Sequence, residues 1–247
     1  MQCEVESKVI NEKDGSTLAL VPEGEFLAGD QNESVYLPSF YISVYTVTNE
    51  QYAEFLNEMD PSVSEVELWI LMDSVCCIGL GHSGYKAYPG MENHPVVRVS
   101  WYGAKAYCEW AGLRLPDELE WEKGARGTDG RNFPWGNGWL NGMHCRNAKN
   151  RGDETTVPVS DCLDGLSPYG LYQMSGNVWE WCENASNSSQ PTMAQYGNIL
   201  SSQSQTRIVR GASWHDALPG RFRTYAQHSI IPTGLYDSVG FRCAKSL

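Results

Sequence analysis

The order of the predicted elements indicates an α+β fold with much irregular structure. Three helix signals fall in the first half of the chain, and short β-rich runs separated by Gly, Asn, Asp and Pro dominate the second half. Strands and helices do not alternate, which disfavours a parallel-sheet architecture. At 247 residues the chain is long enough for one large domain with a sizeable core, and no linker-like segment divides it.

Strands are predicted near the N-terminus by apolar and aromatic residues. The segment LALVPEGEFLAGD places apolar residues on both sides of a Pro-Glu-Gly turn, which predicts a hairpin. The next segment, VYLPSFYISVYTV, is rich in β-branched and aromatic residues and is typical of a further strand region. We therefore expect β-structure from about residue 18 to residue 47.

Capping residues predict three helices. Thr48 and Gln51 form a capping box before a stretch whose apolar residues recur at helical spacing, and a proline ends that stretch. Ser100 is the predicted N-cap of a second helix, which a glycine ends. Asp117 and Glu120 form the capping box of a third.

The remaining segments predict short strands and a long loop region. HPVVRVS, before the second helix, is typical of a strand, and residues 127–175 have few periodic runs and predict loops. NVWEWC, RIVRGASW and VGFRCAKSL predict strands towards the C-terminus. Trp179 and Trp181 alternate along the first of these, so we expect both indoles on one face, in the core.

Charge and apolar content limit the partners. The formal net charge of −12 disfavours nucleic acid and anionic membranes, and no apolar run reaches the ~18 residues of a membrane span. The N-terminus lacks the pattern of a signal peptide, so we expect a cytoplasmic chain or a mature form. Cys3 is a candidate for lipid attachment, which favours a cell-surface lipoprotein over a cytoplasmic protein.

Several segments, in order, resemble the formylglycine-generating enzyme family, also called sulfatase-modifying factors. They are LVPEGEFLAGD, FYISVYTVTNEQYAEFLN, HPVVRVSWYGAKAYCEWAGLRLPDELEWEKGARG, FPWGN, YGLYQMSGNVWEWC, RIVRGASW and VGFRCAK. The resemblance implies a single C-type-lectin-like domain over residues 18–247, preceded by an N-terminal extension of residues 1–17. It also implies that the region from RGASW to GFR lines the site face. We expect the domain to be monomeric.

The resemblance implies two further features. Members often hold calcium near the asparagine of the GNVWEW box, so Asn177 is a candidate oxygen ligand, and Asn147 matches a second such position. Alternatively, Asn177 only fixes a turn. Cys108 and Cys243 fall where some secreted members have a disulfide, and in a reducing compartment they would be adjacent buried thiols.

The catalytic cysteines of the family are missing. Its enzymes use two cysteines shortly after a GGSY motif, and their thiolates bind copper and activate oxygen. Here the motif is GASWHDALPGRFRTYA, and the two positions fall on Asp216 and on Arg221, or on Pro219 if the loop lacks two residues. No cysteine occurs between Cys182 and Cys243. We therefore expect neither copper binding nor formylglycine-generating activity.

A different metal centre is an alternative for this region. His215, Asp216, His228 and Asp237 include the residue types of a two-His-one-carboxylate iron site. They lie in a loop whose shape the sequence does not reveal, so the residue types alone do not predict a suitable geometry.

One branch of the family is not catalytic. Variable proteins of diversity-generating retroelements carry a mutated cassette from an RGGSW-like motif to GFR near the C-terminus, which corresponds here to residues 211–242. In such a cassette the adenines of AAC or AAT codons are replaced, and the third base stays a pyrimidine. These codons therefore cannot yield Lys, Glu, Gln, Met or Trp. Those types make up 51 of the 247 residues, so the 24 residues of 215–238 should hold about five, yet they hold only Gln227. Alternatively, this is an ordinary site loop poor in Lys and Glu.

We therefore predict a non-catalytic binding protein for a protein or cell-surface ligand, recognised by the loop face at about 215–238. Aromatic residues and arginine are typical of the residues that dominate binding energy at protein interfaces. Exposed aliphatic residues form apolar contact patches, and we expect histidine and aspartate to select the ligand through polar contacts. The expected contacts are Trp214, His215, Asp216, Leu218, Arg221, Phe222, His228, Ile230, Tyr236 and Asp237. The alternative is a catalytically altered or inactive member of the formylglycine-generating oxidoreductase family.

Overall fold

The computed structural model describes residues 6–140, 142–185 and 206–247, so the candidate lipid-attachment residue Cys3 lies outside it. The strands are β1 (Lys8–Ile10), β2 (Thr17–Val21), β3 (Gly24–Ala28), β4 (Glu33–Leu37), β5 (Phe40–Ser43), β6 (Ile78–Gly81), β7 (Gly84–Ala87), β8 (Trp179–Ala185), β9 (Arg207–Arg210), β10 (Gln227–Ile230), β11 (Val239–Gly240) and β12 (Ala244–Ser246). The helices are α1 (Asn49–Met59), α2 (Val63–Trp69), α3 (Trp101–Trp110) and α4 (Glu118–Arg126).

Two four-stranded sheets carry the fold. The first has the order β1-β2-β5-β12 and the second β10-β9-β8-β11, and the pairs β3-β4 and β6-β7 are separate hairpins. All pairings are antiparallel except that of β11 with β8. The mixture of helices with mostly antiparallel strands confirms the predicted α+β class. Residues 8–10, within the predicted N-terminal extension 1–17, contribute β1 to the first sheet.

The three predicted helices form where their capping residues place them. The capping boxes of Thr48 with Gln51 and of Asp117 with Glu120 are both complete, and the Ser100 side chain accepts the backbone N–H of Gly103. The helix α2, which was not predicted, begins at a third capping box, formed by Ser62 and Glu65. A short helix with mixed polarity has too weak a periodicity to be recognised without that cap.

Two of the predicted strand features are wrong. LALVPEGEFLAGD does not form a hairpin, because β2 pairs with β1 and β5 whereas β3 pairs with β4. HPVVRVS forms only isolated bridges, from Pro95 to Thr48 and from Val99 to Ile70. HPVVRVS bonds to partners distant in sequence, and the two strands of LALVPEGEFLAGD bond to neighbouring strands outside that segment. Patterning within a segment does not reveal either kind of partner.

A buried ion pair joins the NVWEW motif to the GFR motif. Glu180 and Arg242 are both fully buried, and two guanidinium nitrogens donate to the two carboxylate oxygens at 2.6 and 2.8 Å. The Trp121 indole of α4 donates to the same carboxylate at 2.7 Å. Each buried charge is thereby paired and hydrogen-bonded, so this cluster joins α4, β8 and the C-terminal segment.

The irregular region predicted over residues 127–175 is confirmed, since its described residues hold one 3-10 turn, Leu163–Gly165, and no other helix or strand.

Cys108 and Cys243 are adjacent buried thiols with their sulfur atoms 3.3 Å apart. Across the described ranges, no helix combines the length and apolarity that a membrane crossing requires.

Candidate ligand-binding site

A cavity of about 370 Å³ lies against the second sheet, on the loop face. Its apolar wall comes from strand residues: Trp179 of β8 pairs with Val239 of β11, and Val209 of β9 pairs with His228 of β10. Alternate residues of a strand share a face, so His228 and Ile230 both point to this cavity. The sheet therefore supplies a fixed apolar floor.

The loops around the sheet supply the polar side chains. Seven of the ten residues predicted to contact ligand line the cavity: His215, Asp216, Arg221, His228, Ile230, Tyr236 and Asp237. His215 and Arg221 are exposed, and Tyr236 and Asp237 are partly buried. The structure thus brings residues from both ends of the 215–238 segment to one concavity.

The other three predicted residues lie elsewhere. Leu218 is exposed, beside the cavity lining rather than in it. Trp214 is buried beneath the Arg151 guanidinium, which lies 4.9 Å from the centre of one of its rings. Phe222 is fully buried and packs against Trp139, with ring centroids 4.9 Å apart and ring planes tilted by 39°. The prediction that Phe222 contacts ligand is therefore corrected, because this ring belongs to the core.

Asp216 organises the loop. One carboxylate oxygen accepts hydrogen bonds from the Trp179 indole at 2.9 Å, from the Ser213 backbone N–H at 2.9 Å and from the Ser213 hydroxyl at 3.0 Å. The other pairs with Arg221 at 3.2 Å. The Asp216 backbone carbonyl also accepts the Ala148 N–H at 2.9 Å. This carboxylate holds the loop on the sheet as well as lining the cavity.

The Asp216–Arg221 ion pair stands where the resemblance places the two catalytic cysteines of the family. Pro219, the alternative for the second position, does not line the cavity. Neither group is a soft sulfur ligand, and both are engaged with each other. The site is therefore an altered one, with an ion pair where the family's copper-binding thiolates would lie.

Burial shifts the protonation of two lining residues. Burial lowers the pKa of His228, the Arg221 cation lowers it further, and Asp216 partly opposes them. The ring meets the Trp179 indole edge to face, with centroids 5.1 Å apart. Burial also raises the pKa of Tyr236. At neutral pH the cavity therefore offers a neutral imidazole and a neutral phenol.

The residues considered for an iron site line this one cavity but do not form a metal centre. No group of three or more His, Cys, Asp or Glu in the described part of the chain could hold a metal ion. Asp216 is committed to Ser213, Trp179 and Arg221, and the other carboxylate of the set, Asp237, does not complete a group of three with His215 and His228.

The two calcium candidates use their side-chain oxygens elsewhere. The Asn177 oxygen accepts the Val157 N–H at 3.0 Å, and the Asn147 oxygen accepts the Lys149 N–H at 2.9 Å. Asn177 also has a left-handed backbone, with φ 67°, and its amide donates to Gln173. The Asn147 side chain fixes its own turn, and the Asn177 side chain joins the GNVWEW segment to Val157. Both amide oxygens therefore already accept a protein N–H, and this arrangement does not fit a calcium site built on these two amides.

Five lining residues are not among those predicted from the sequence: Trp179, Val209, Ser213, Ser238 and Val239. Trp179 was assigned to the core, and it is indeed buried, but one side of it forms the cavity wall. Its parallel pairing with Val239 brings it to the site. That pairing is non-local, so strand alternation alone could not have revealed it.

Comparisons with known proteins place this arrangement in a family. The sulfatase-modifying factor enzyme 1-like domain matches residues 6–247. The protein named serine/threonine-protein kinase pkn1 of Chlamydia caviae is 32% identical over 249 residues, which is 93% of this chain but only 38% of that protein. The inactive C-alpha-formylglycine-generating enzyme 2 of Bos taurus is 32% identical, over 91% of this chain and 82% of its own length.

Solved structures share the fold over nearly the whole chain. PvdO from Pseudomonas aeruginosa has a TM-score of 0.72 at 21% identity, covering 99% of this chain and 100% of its own. Variable protein 1 of Treponema denticola has a TM-score of 0.70 at 19% identity, covering 98% and 99%. This confirms the predicted C-type-lectin-like fold of the formylglycine-generating enzyme type. The chain therefore belongs to the sulfatase-modifying factor enzyme 1-like domain family.

Proposed function

We propose that this protein is a non-catalytic binding protein whose loop face, residues 215–238, recognises a protein or cell-surface ligand, and that a retroelement diversifies this face. The observation that carries the proposal is the Asp216–Arg221 ion pair in the wall of the cavity. It occupies the positions at which the family's chemistry needs thiolates. What remains at the site is a shaped, mixed apolar and polar surface.

The cavity suits an apolar side chain of a protein partner. Its floor is the indole of Trp179 with Val209, Ile230 and Val239, and such a floor favours an aliphatic or aromatic group. His215, Arg221 and Asp237 stand around it and would bond to the backbone or polar groups that flank that side chain. A small apolar pocket within a polar rim is the arrangement that anchors residues at protein interfaces.

Diversification is supported by the division of the loop segment into framework and exposed positions. Phe222 and Thr224 are fully buried, and the Thr224 hydroxyl donates to the Arg131 carbonyl at 2.9 Å. Leu218, Arg223 and Gln227 are exposed. The fold of a variable protein of Treponema denticola is the same. A rigid frame with exposed side chains tolerates substitution, as binding loops do.

A library experiment tests recognition. The exposed positions His215, Leu218 and Arg221 and the partly buried Tyr236 are randomised with codons ending in a pyrimidine, and the library is displayed and selected against hen lysozyme. We expect folded variants that bind lysozyme and lose binding when the original loop is restored. A control library of equal size on the exposed face of α2 should give none. Mostly unfolded loop variants, or equal yields from the two libraries, would contradict the proposal.

Diversification has its own test in the DNA beside the gene. We expect a near-copy of the segment coding for residues 211–242 that differs only at adenines, next to a reverse transcriptase gene. Flanking DNA without such a copy would contradict diversification and leave a fixed binding domain.

The altered-enzyme alternative is separated by an oxygen-consumption assay with Cu(I) and a cysteine-containing peptide. We expect no formylglycine product, and no oxygen uptake above that of Cu(I) and peptide without the protein, because the site offers no thiolate pair. Turnover would show that the protein oxidises the peptide without the family's cysteine pair, and it would contradict the non-catalytic function.

A further inference from the structure

The irregular loop 146–157 is bonded through its backbone to the two motifs that carry the loop face. The Arg146 carbonyl accepts the N–H of Asn177, in the GNVWEW box, at 3.0 Å, and the Ala148 N–H donates to the Asp216 carbonyl at 2.9 Å. Both bonds join backbone groups, so a change in the path of the loop moves or breaks them. The conformation of this loop therefore helps to set where Asp216 stands.

The Arg146 side chain holds the 146–157 loop closed from inside. It is 9% exposed, its Nε donates to the Thr155 carbonyl at 2.9 Å, and one Nη donates to the Arg151 carbonyl at 3.0 Å. The other Nη donates to the Asn150 carbonyl at 3.4 Å. Three backbone carbonyls of one loop thus point at one planar cation. The fixed fork of a guanidinium matches that arrangement, and the compact ammonium of lysine does not.

Backbone carbonyls compensate most of the charge of this buried guanidinium. Its carboxylate partner is Glu154, which lies 3.4 Å away and is 81% exposed. An exposed carboxylate attracts a cation only weakly. A buried cation whose carboxylate partner lies in solvent is retained only where other polar groups are fixed around it. The closed path of the loop and the position of Arg146 therefore depend on each other.

This arrangement disagrees with the calcium ion that the family resemblance implies for the same region. The amide oxygens of Asn147 and Asn177 already accept protein N–H groups. Calcium sites are built from converging oxygens, backbone carbonyls among them. In the 146–157 loop, backbone carbonyls converge on the Arg146 guanidinium, so a side chain of the protein is the cation at its centre.

We propose that Arg146 is a positioning residue of the loop face: its guanidinium, in place of a metal ion, closes the 146–157 loop, and the closed loop holds Asp216 in position. Arg151 adds a second contact in the same direction, since its guanidinium lies 4.9 Å from the centre of a Trp214 ring. The proposal rests on the proposed function only for the use of the loop face, and the geometry that it concerns is measurable without a ligand.

Backbone hydrogen exchange measured by NMR tests the proposal at two reporter amides, Ala148 and Asn177, whose N–H groups make the two connecting bonds. The variant Arg146→Ala removes the cation, and N-ethylguanidinium, the missing part of the side chain, is then added back. Ethylammonium carries the same charge without the planar fork, and calcium chloride supplies a metal ion. Lys149→Ala is the matched control, because it removes an exposed cation from the same loop.

We expect both reporter amides to exchange at least about tenfold faster in Arg146→Ala than in the parent, because three hydrogen bonds from a charged donor are lost. N-ethylguanidinium should restore the slow exchange, whereas ethylammonium and calcium should not. Lys149→Ala should exchange as the parent does, and neither calcium nor EGTA should change the parent's rates. A general loss of packing would not be reversed selectively by a guanidinium.

The proposal is overturned if Arg146→Ala exchanges as slowly as the parent, if N-ethylguanidinium does not restore slow exchange or ethylammonium restores it equally well, or if calcium slows exchange in the parent or the variant. If Arg146→Ala does not fold, Arg146→Lys takes its place. It keeps the charge without the fork, so its reporter amides should still exchange faster than the parent's, and parent-like rates would overturn the proposal. A loop-face library without binders would count against the proposed function and leave these rates unchanged.

Discussion

The carboxylate of Asp216 has two roles at one position, because it lines the binding cavity and holds the loop on the sheet. We predict that Asp216→Ala lowers the free energy of unfolding by about 2 to 3 kcal/mol, since it leaves the Trp179 indole and Ser213 N–H groups without an acceptor. Chemical denaturation measures this. The exposed neighbour His215→Ala should cost less than about 0.5 kcal/mol, and equal costs would show that Asp216 is not the anchor of the loop.

His228 gives the site a pH dependence. The pKa of His228 is lowered in the folded protein. As the pH falls below about 6.5, this histidine is therefore protonated in the unfolded chain before it is protonated in the folded protein. Stability from this residue is therefore present above that pH and is lost as the pH falls. We expect the drop in melting temperature between pH 7.5 and pH 5 to be smaller in His228→Gln than in the parent. His82→Gln, at an exposed histidine, should match the parent, and an equal effect of the two variants would contradict the assignment.

Residue types in the loop predicted most of the cavity lining, but burial within the loop could not be predicted. A segment without periodicity gives no sign that Phe222 points inwards while Arg221 points outwards. The core contact of Phe222 is with Trp139, about eighty positions away in sequence. Likewise, Trp179 reaches the cavity through pairing with Val239. The sequence identified which residues could bind, and long-range contacts decided which of them do line the site.

At the scale of elements, α4 joins the β3-β4 hairpin to the second sheet through charged groups. Glu122 is 2% exposed and pairs with Arg126 at 2.8 Å and with Arg210 of β9 at 3.2 Å, and it accepts the Gly29 N–H at 2.7 Å. We predict that Glu122→Gln costs about 3 to 5 kcal/mol, because two buried guanidinium groups lose their counter-charge.

The matched control for that change is Glu183→Gln, which removes a carboxylate that is 42% exposed in its pair with the comparably exposed Lys105. An exposed pair contributes less than about 1 kcal/mol. Urea denaturation of both variants should therefore show a clear difference. Similar urea midpoints would mean that the buried ion pairs stabilise the folded protein no more than a surface ion pair does.

The starts of the helices could be predicted because a helix cap is a local signal. The partners of the strands could not be predicted in this way. Thr48 and Asp117 fix helix starts through bonds to their own first turns. By contrast, β2 and β3 are separated by only two residues and yet belong to different sheets. A turn motif such as Pro-Glu-Gly reverses or redirects a chain equally well, so only the partner strands distinguish a hairpin from a crossing between sheets.

At the scale of the whole molecule, the C-terminal segment is held against both four-stranded sheets. β12, near the C-terminus, pairs with β5, while Arg242 binds Glu180 and the carbonyl groups of Ser43 and Val44. The loop segment 215–238 is therefore framed on both sides by buried, paired residues. Such framing allows exposed loop positions to change with little effect on the core, as the proposed function requires.

Cys108 of α3 and Cys243 of the C-terminal segment belong to that framing and are 135 positions apart in sequence. Their sulfur atoms are 3.3 Å apart as free thiols, so we predict that mild oxidation joins them with little movement. Closing so long a loop restricts the unfolded chain and should raise the free energy of unfolding by about 4 to 5 kcal/mol. Non-reducing peptide mapping identifies the bond, and thermal unfolding with and without reductant measures its effect. Cys108→Ala should abolish the reductant dependence. A bonded protein that melts no higher than the reduced one would show that strain in the buried site offsets the entropic gain.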